Sequence, residues 1–166
     1  IDLTAPTLSD VLINGGATVT NDPLVDIDFT YTESYPLNVY ISEDAGMAGA
    51  VTVAWGAGPA YPDVFTLTTG DGDKPVYVQI EDRAGNMSTI ETSSILLDET
   101  APTGTMELVQ DPAYNPYAAP GYTNTKNNIL IENITYPADA VDMRFRNGDG
   151  TNLTGWLPVA ASYSPW

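Results

Sequence analysis

Residues 70–86 read GDGDKPVYVQIEDRAGN, and residues 95–103 read ILLDETAPT. Val76, Val78 and Ile80 alternate with Tyr77, Gln79 and Glu81, the period-two pattern of a strand with one buried face. Gly70-Asp71-Gly72-Asp73 before them and Asp82-Arg83-Ala84-Gly85-Asn86 after them are turn sequences. Ile95, Leu96 and Leu97 supply a closing strand, and Asp98-Glu99-Thr100-Ala101-Pro102-Thr103 leads out of it. The chain opens with nearly the same words, Asp2-Leu3-Thr4-Ala5-Pro6-Thr7. A linker that returns after about a hundred residues marks a repeat, and a unit of that length suits a single domain.

Working outward, short strand-like pieces alternate with clusters of Gly, Pro, Asn and Asp. Leu8 to Ile13 is a first strand, turned by Asn14-Gly15-Gly16. In the next, Val25, Ile27, Phe29 and Tyr31 share one face, and Asp26, Asp28, Thr30 and Thr32 share a solvated one. Leu37, Val39 and Ile41 make a third, Val51 to Trp55 a fourth, and Phe65 with Leu67 a fifth. With the two in the opening stretch, about seven strands and no amphipathic helix predict an all-β protein built on an antiparallel β-sandwich.

A second copy starts at Asp98. The strand around Ile27 recurs around Ile129 to Ile134, residues 37–41 recur as 141–145, and Trp55 recurs as Trp156. Two domains are therefore expected, at residues 1–97 and 98–166, as tandem sandwiches of which the second is incomplete. Roughly a third of the second, its closing strands, falls beyond Trp166 when measured against the strands such a sandwich needs. Either the chain is a piece of something longer, or another chain completes the sheet by strand addition. Its start at Ile1, inside a linker, with no initiator Met or signal peptide, favours the first.

Composition narrows the function. Five Lys plus Arg stand against 22 Asp plus Glu, a formal charge of -17. Such a chain repels phosphate backbones, so nucleic acid is not an expected partner. Hydrophobic residues still make up 43%, enough for a core, so the acidity is not that of a disordered tail. With neither Cys nor His, disulfides, thiolate nucleophiles, the commonest general base and the commonest transition-metal ligand are all excluded. No apolar run approaches the ~18 residues of a spanning helix, so membrane insertion is not expected. An active site is expected to be absent: serines lack a base, and a small sandwich offers little concavity for paired carboxylates.

The segment GDGDKPVYVQIEDRAGN followed by LDETAPT resembles the bacterial Ig-like repeats of large secreted and cell-surface proteins. There, a GDGxKxVYVxxxDxAGN segment precedes a D-x-T-A-P-T linker. The likeness covers nearly the whole first copy and, in VDMRFRNGDG and the Trp156 segment, part of the second. It implies tandem immunoglobulin-like sandwiches on an extracellular or cell-surface protein, of the kind found in S-layers, giant adhesins, stalks and secreted hydrolases. Their partners would be neighbouring repeats of the same parent chain, and their task that of a spacer or building block of a layer or filament.

The remaining candidates are oxygen ligands and aromatics. Tracing the strands alternately up and down places Asp2, Glu33 and Asp82 at the pole where the chain enters. Asp71, Asp73 and Asp98 fall at the opposite pole, facing Asp139 in the second copy's entry turn. Calcium takes about six to eight oxygens in adaptable geometry, so Ca²⁺ held by Asp71, Asp73, Asp98 and Asp139 is expected to stiffen the junction, with a second site at Asp2, Glu33 and Asp82. The competing reading is that Asp and Gly are simply good turn residues. Asp71-Gly72-Asp73 lacks the later ligands of an EF-hand loop. Trp55 and Trp156, at matched positions, are expected in the cores. The insertion DPAYNPYAAP (111–120) has no counterpart in the first copy, and its Tyr114 and Tyr117 are the expected contacts of the rival function, a carbohydrate- or protein-binding module. Sequons at Asn86, Asn133 and Asn152 are about as many as chance supplies.

Overall fold

The computed structural model describes residues 2–55, 64–110, 129–146 and 154–162, with the backbone alone at Val109, Gln110, Ile129 and Leu130. The expected insertion, with Tyr114 and Tyr117, lies outside the described residues. The protein is all-β: among the described residues the one helical element is a single 3-10 turn at Asn14–Gly16. The chain divides into two compact units, Ile1–Thr100 and Ala101–Trp166.

Unit 1 contains β1 (Thr7–Ile13), β2 (Val19–Thr20), β3 (Leu24–Thr32), β4 (Pro36–Ser42), β5 (Val51–Ala54), β6 (Val64–Thr66), β7 (Gly72–Asp82) and β8 (Glu91–Leu97). They form a three-stranded sheet in the order β1-β3-β6 and a five-stranded sheet in the order β2-β8-β7-β4-β5. One core lies between them. The first sheet contributes Leu8, Val11, Ile13, Val25, Ile27, Phe29 and Phe65, and the second Val39, Ile41, Val76, Val78, Ile80, Ile95 and Leu97. Alternation accounts for this: in β3 the buried Val25, Ile27 and Phe29 interleave with exposed Asp26, Asp28 and Thr30. Each fully buried Val or Ile contributes about 1.5–3 kcal/mol. Tyr31 and Trp55 pack against this core, their rings edge to face at 4.7 Å and 71°.

The sequence predicts an antiparallel sandwich, but one pairing is parallel. β2 runs parallel to β8, pairing Val19 with Leu96 and Thr20 with Leu97. The cause is the turn between β1 and β2, where Asn14, Gly15 and Gly16 all take positive φ (49°, 64° and 91°). Gly supplies this conformation without steric penalty and Asn tolerates it. After crossing it, the chain leaves the three-stranded sheet and joins the edge of the five-stranded one.

Unit 2 contains β9 (Thr105–Gln110) paired antiparallel with β10 (Ile129–Thr135), and a short ladder of β11 (Asp142–Met143) with β12 (Leu157–Pro158). The register of β9 and β10 shifts between Glu132 and Thr135, where Asn133 takes φ 50°. Ile131 and Phe145 are buried. Trp156, expected in the core, is instead 65% exposed, with the Arg144 guanidinium 4.7 Å from its ring centroid. Matched spacing carried no information about the surface this ring meets.

Candidate functional site

The eleven residues of β7 span about 36 Å at ~3.3 Å per residue, with Asp71 and Asp73 at its start and Asp82 at its end. At the end where the chain enters, Asp82 closes the turn into β8. Its Oδ1 accepts from the Ala84 and Asn86 backbone N–H groups at 2.8 and 2.9 Å, and its Oδ2 accepts from Asn86 Nδ2 at 2.8 Å. Gly85 fits the same loop at φ 87°. Asp82 is only 1% exposed, and burial of a carboxylate is tolerable only because these donors satisfy it. The Asn86 side chain above all, with the turn's N–H groups, holds its carboxyl below the usual range.

The same Asn86 amide reaches the first linker, donating to the Asp2 carbonyl at 3.3 Å. Within that linker Asp2 Oδ1 accepts from the Thr4 N–H at 3.0 Å. Glu33 Oε1 accepts from the Tyr35 N–H at 2.6 Å, and the Arg83 N–H donates to the Tyr35 carbonyl at 3.0 Å. Asp2 and Glu33 border one shallow depression of about 340 Å³, and Asp2 and Asp82 border another of about 320 Å³. These three expected calcium ligands are thus brought to one pole, each with a carboxylate oxygen accepting from the backbone.

At the opposite end, Asp71 clamps the second linker. Its Oδ1 accepts from the Glu99 N–H at 2.6 Å, and its Oδ2 accepts from the Thr100 hydroxyl. That hydroxyl first, then the Glu99 N–H, keeps the Asp71 carboxyl below the usual range. Glu99 reciprocates, its Oε2 accepting from the Gly70 N–H at 2.7 Å. Asp98 Oδ1 accepts from the Thr100 N–H at 3.2 Å, and the Asp98 N–H donates to the Thr20 carbonyl at 2.9 Å. Asp73 is exposed on β7 opposite Leu96. Asp139 belongs to unit 2, exposed in the turn closed by the Ala140 N–H to Pro137 carbonyl bond of 3.2 Å. Among the described residues, no three acidic side chains converge in a group that could hold a metal ion.

The two linkers therefore fold alike. Each D-x-T begins with an Asx turn, Asp2 onto Thr4 and Asp98 onto Thr100, and each is tied back to the body by a side chain from a turn flanking β7, Asn86 for the first and Asp71 for the second. Sequence reasoning missed Asn86, Glu99 and Thr100 as partners. The Asx turns were legible in D-x-T, whereas the clamps join residues separated by 84 and 28 positions.

A further polar cluster crosses the outer face of the five-stranded sheet. The Tyr40 hydroxyl and Asn38 Nδ2 both donate to Glu81 Oε2, at 2.6 and 2.7 Å. The Tyr40 hydroxyl, then Asn38, draws the Glu81 carboxyl below its ordinary value, and the same bond to Glu81 raises Tyr40. This network links β4 to β7.

No protein-family model, curated protein or solved structure matches this chain.

Proposed function

We propose that the chain is a structural spacer from an extracellular surface protein, built of tandem Ig-like sandwiches and bearing load along the long axis of unit 1. One observation carries this reading: the linker at the start of unit 1 and the linker at its end are hydrogen-bonded to the turns at opposite ends of β7. A domain gripped at both ends in this way passes tension through itself instead of through a slack tether. The sheet orders β1-β3-β6 and β2-β8-β7-β4-β5, with the consecutive strands β1 and β2 placed in different sheets, support the Ig-like assignment. The absence of His and Cys supports a role without catalysis.

The parallel patch gives the mechanical reading a point of attack. The Leu96 N–H donates to the Thr18 carbonyl at 3.1 Å, and the Asp98 N–H to the Thr20 carbonyl at 2.9 Å. Pulling the two linkers apart loads these bonds along the strands, so they must break together. Force spectroscopy on the whole chain is expected to show unit 1 unfolding in one step of about 300 Å, from ~3.6 Å per extended residue. Leu96→Pro removes the donor facing β2, and because that side chain is 46% exposed, little packing is lost. It is expected to lower the unfolding force while moving the melting temperature by only a few degrees, since one such bond contributes about 1 kcal/mol. Gradual extension without a step, or an unchanged force in Leu96→Pro, would count against the spacer.

The exposure of Trp156 favours a second reading, a binding module for carbohydrate or a surface protein. Binding of a glycan to the intact chain that Trp156→Ala abolishes would establish it.

A further inference from the structure

Among the described residues, the two sheets of unit 1 have four edges, and three of them are blunted. β1 is broken by a register shift between Ser9 and Leu12, with Asp10 at φ 54° inside the shift. β2 is two residues long and β6 three. Irregularity, an edge charge and shortness are the usual defences against edge-to-edge pairing. β5 has neither charge, nor proline, nor bulge: it reads Val51-Thr52-Val53-Ala54 and pairs in continuous register with β4. Among the described residues it pairs with no other strand.

The direction of its free groups follows from the ladder. The Trp55 N–H donates to the Leu37 carbonyl, and Val53 and Val51 lie opposite Val39 and Ile41. In an antiparallel ladder hydrogen-bonded pairs alternate, so Val51, Val53 and Trp55 face β4 with their backbone groups. The N–H and C=O of Thr52 and Ala54 therefore point away from the sheet.

Charge selects the occupant. No charged residue lies between Ala45 and Pro62, in a chain of net charge -17. A cationic partner would be drawn to the acidic surfaces elsewhere, whereas another copy of this chain is repelled by them and can approach only along a neutral flank. The edge is also self-complementary. Two copies turned about a two-fold axis at Val53 set Thr52 opposite Ala54 of the other copy, and both residues then exchange N–H···O=C bonds reciprocally, as an isologous contact requires.

We infer that β5 is a self-association edge through which two copies of the chain pair antiparallel, joining their five-stranded sheets into one. The contact is small, so the dimer is weak and reversible, and it is independent of the spacer role. Sedimentation equilibrium of the full chain from about 10 µM to about 1 mM is expected to show a monomer–dimer equilibrium. Raising salt from about 0.05 to about 0.5 M should strengthen it by screening like charges. In the dimer, the amide protons of Thr52 and Ala54 gain exchange protection while those of Asp26 and Asp28 do not. Thr52→Pro removes an outward donor and should abolish the dimer, whereas Thr52→Val keeps the donor and should preserve it. Should the proline variant not fold, the double variant Thr52→Lys with Ala54→Lys puts like charges opposite each other and should also be monomeric. A chain monomeric at about 1 mM in high salt, or a dimer indifferent to both disruptive variants, overturns the inference.

Discussion

Asp82 shows how one side chain can organise a turn. A buried carboxylate is costly unless donors surround it, and here three N–H groups from the next four residues do so. Asp82→Ala would leave those donors without an acceptor at a site water barely reaches, and is expected to lower the melting temperature by roughly 5–10 °C. Asp82→Asn keeps one acceptor oxygen and should cost distinctly less, and differential scanning calorimetry of the pair separates the two. Acidity tests the same idea over three residues. Asp71, Glu81 and Asp82 all have carboxyls held below their ordinary values. A carboxyl depressed in the folded state favours folding fully above its unfolded value, and that contribution disappears as pH falls through the folded value. Thermal stability is therefore expected to be level above about pH 5 and to fall steadily below about pH 4. The triple variant Asp71→Asn, Glu81→Gln, Asp82→Asn should be less stable at neutral pH and show a shallower acid slope.

Among the elements, β7 does the most, because it is central in its sheet, buried on one face and tied to a linker at each end. Its inward Val76, Val78 and Ile80 are fully buried, and Ile80→Ala would cost about 2–5 kcal/mol in chemical denaturation. The linker clamp at its start answers to a different measurement. Asp71 is exposed, so Asp71→Ala should barely change the global melting temperature. It should instead free the Glu99 N–H and the Thr100 hydroxyl, and the Glu99 amide should exchange with solvent many-fold faster by hydrogen–deuterium exchange. Unchanged exchange at Glu99 would mean that Asp71 does not hold the linker. Repetition of the Asx turn in both linkers is an element-scale regularity, since Asp two residues before an N–H favours that turn wherever it occurs.

For the whole molecule, the issue is whether the acidic poles are stiffened by an ion or by their own hydrogen bonds. Asp2, Asp71 and Asp98 each accept a backbone N–H of a linker, and Glu33 and Asp82 accept N–H groups of their own turns. Hydrogen-bonded linkers alone predict that unfolding in millimolar calcium and in excess EDTA agree to within about 2 °C. A rise of many degrees with calcium but not magnesium would establish the ion, because binding to the native state alone adds about 2.7 kcal/mol at a hundredfold excess over Kd.

The all-β character and the inward faces of β3 and β7 were legible in the chain itself, whereas Leu37, expected inward on β4 with Val39 and Ile41, is exposed. Alternation is local, and a residue's neighbours two positions away suffice to say which face it shares. The D-x-T-A-P-T linkers were legible for the same reason, since the Asx turn closes within three residues. What only the tertiary structure decided is who meets whom across the fold. The parallel pairing of β2 with β8, the grip of Asp71 and Asn86 on the linkers, the exposure of Trp156 and the place of β5 at the end of its sheet order all depend on segments far apart in sequence. A carboxylate's role follows from the donors that surround it, and those are brought to it only when the sheets close on their core.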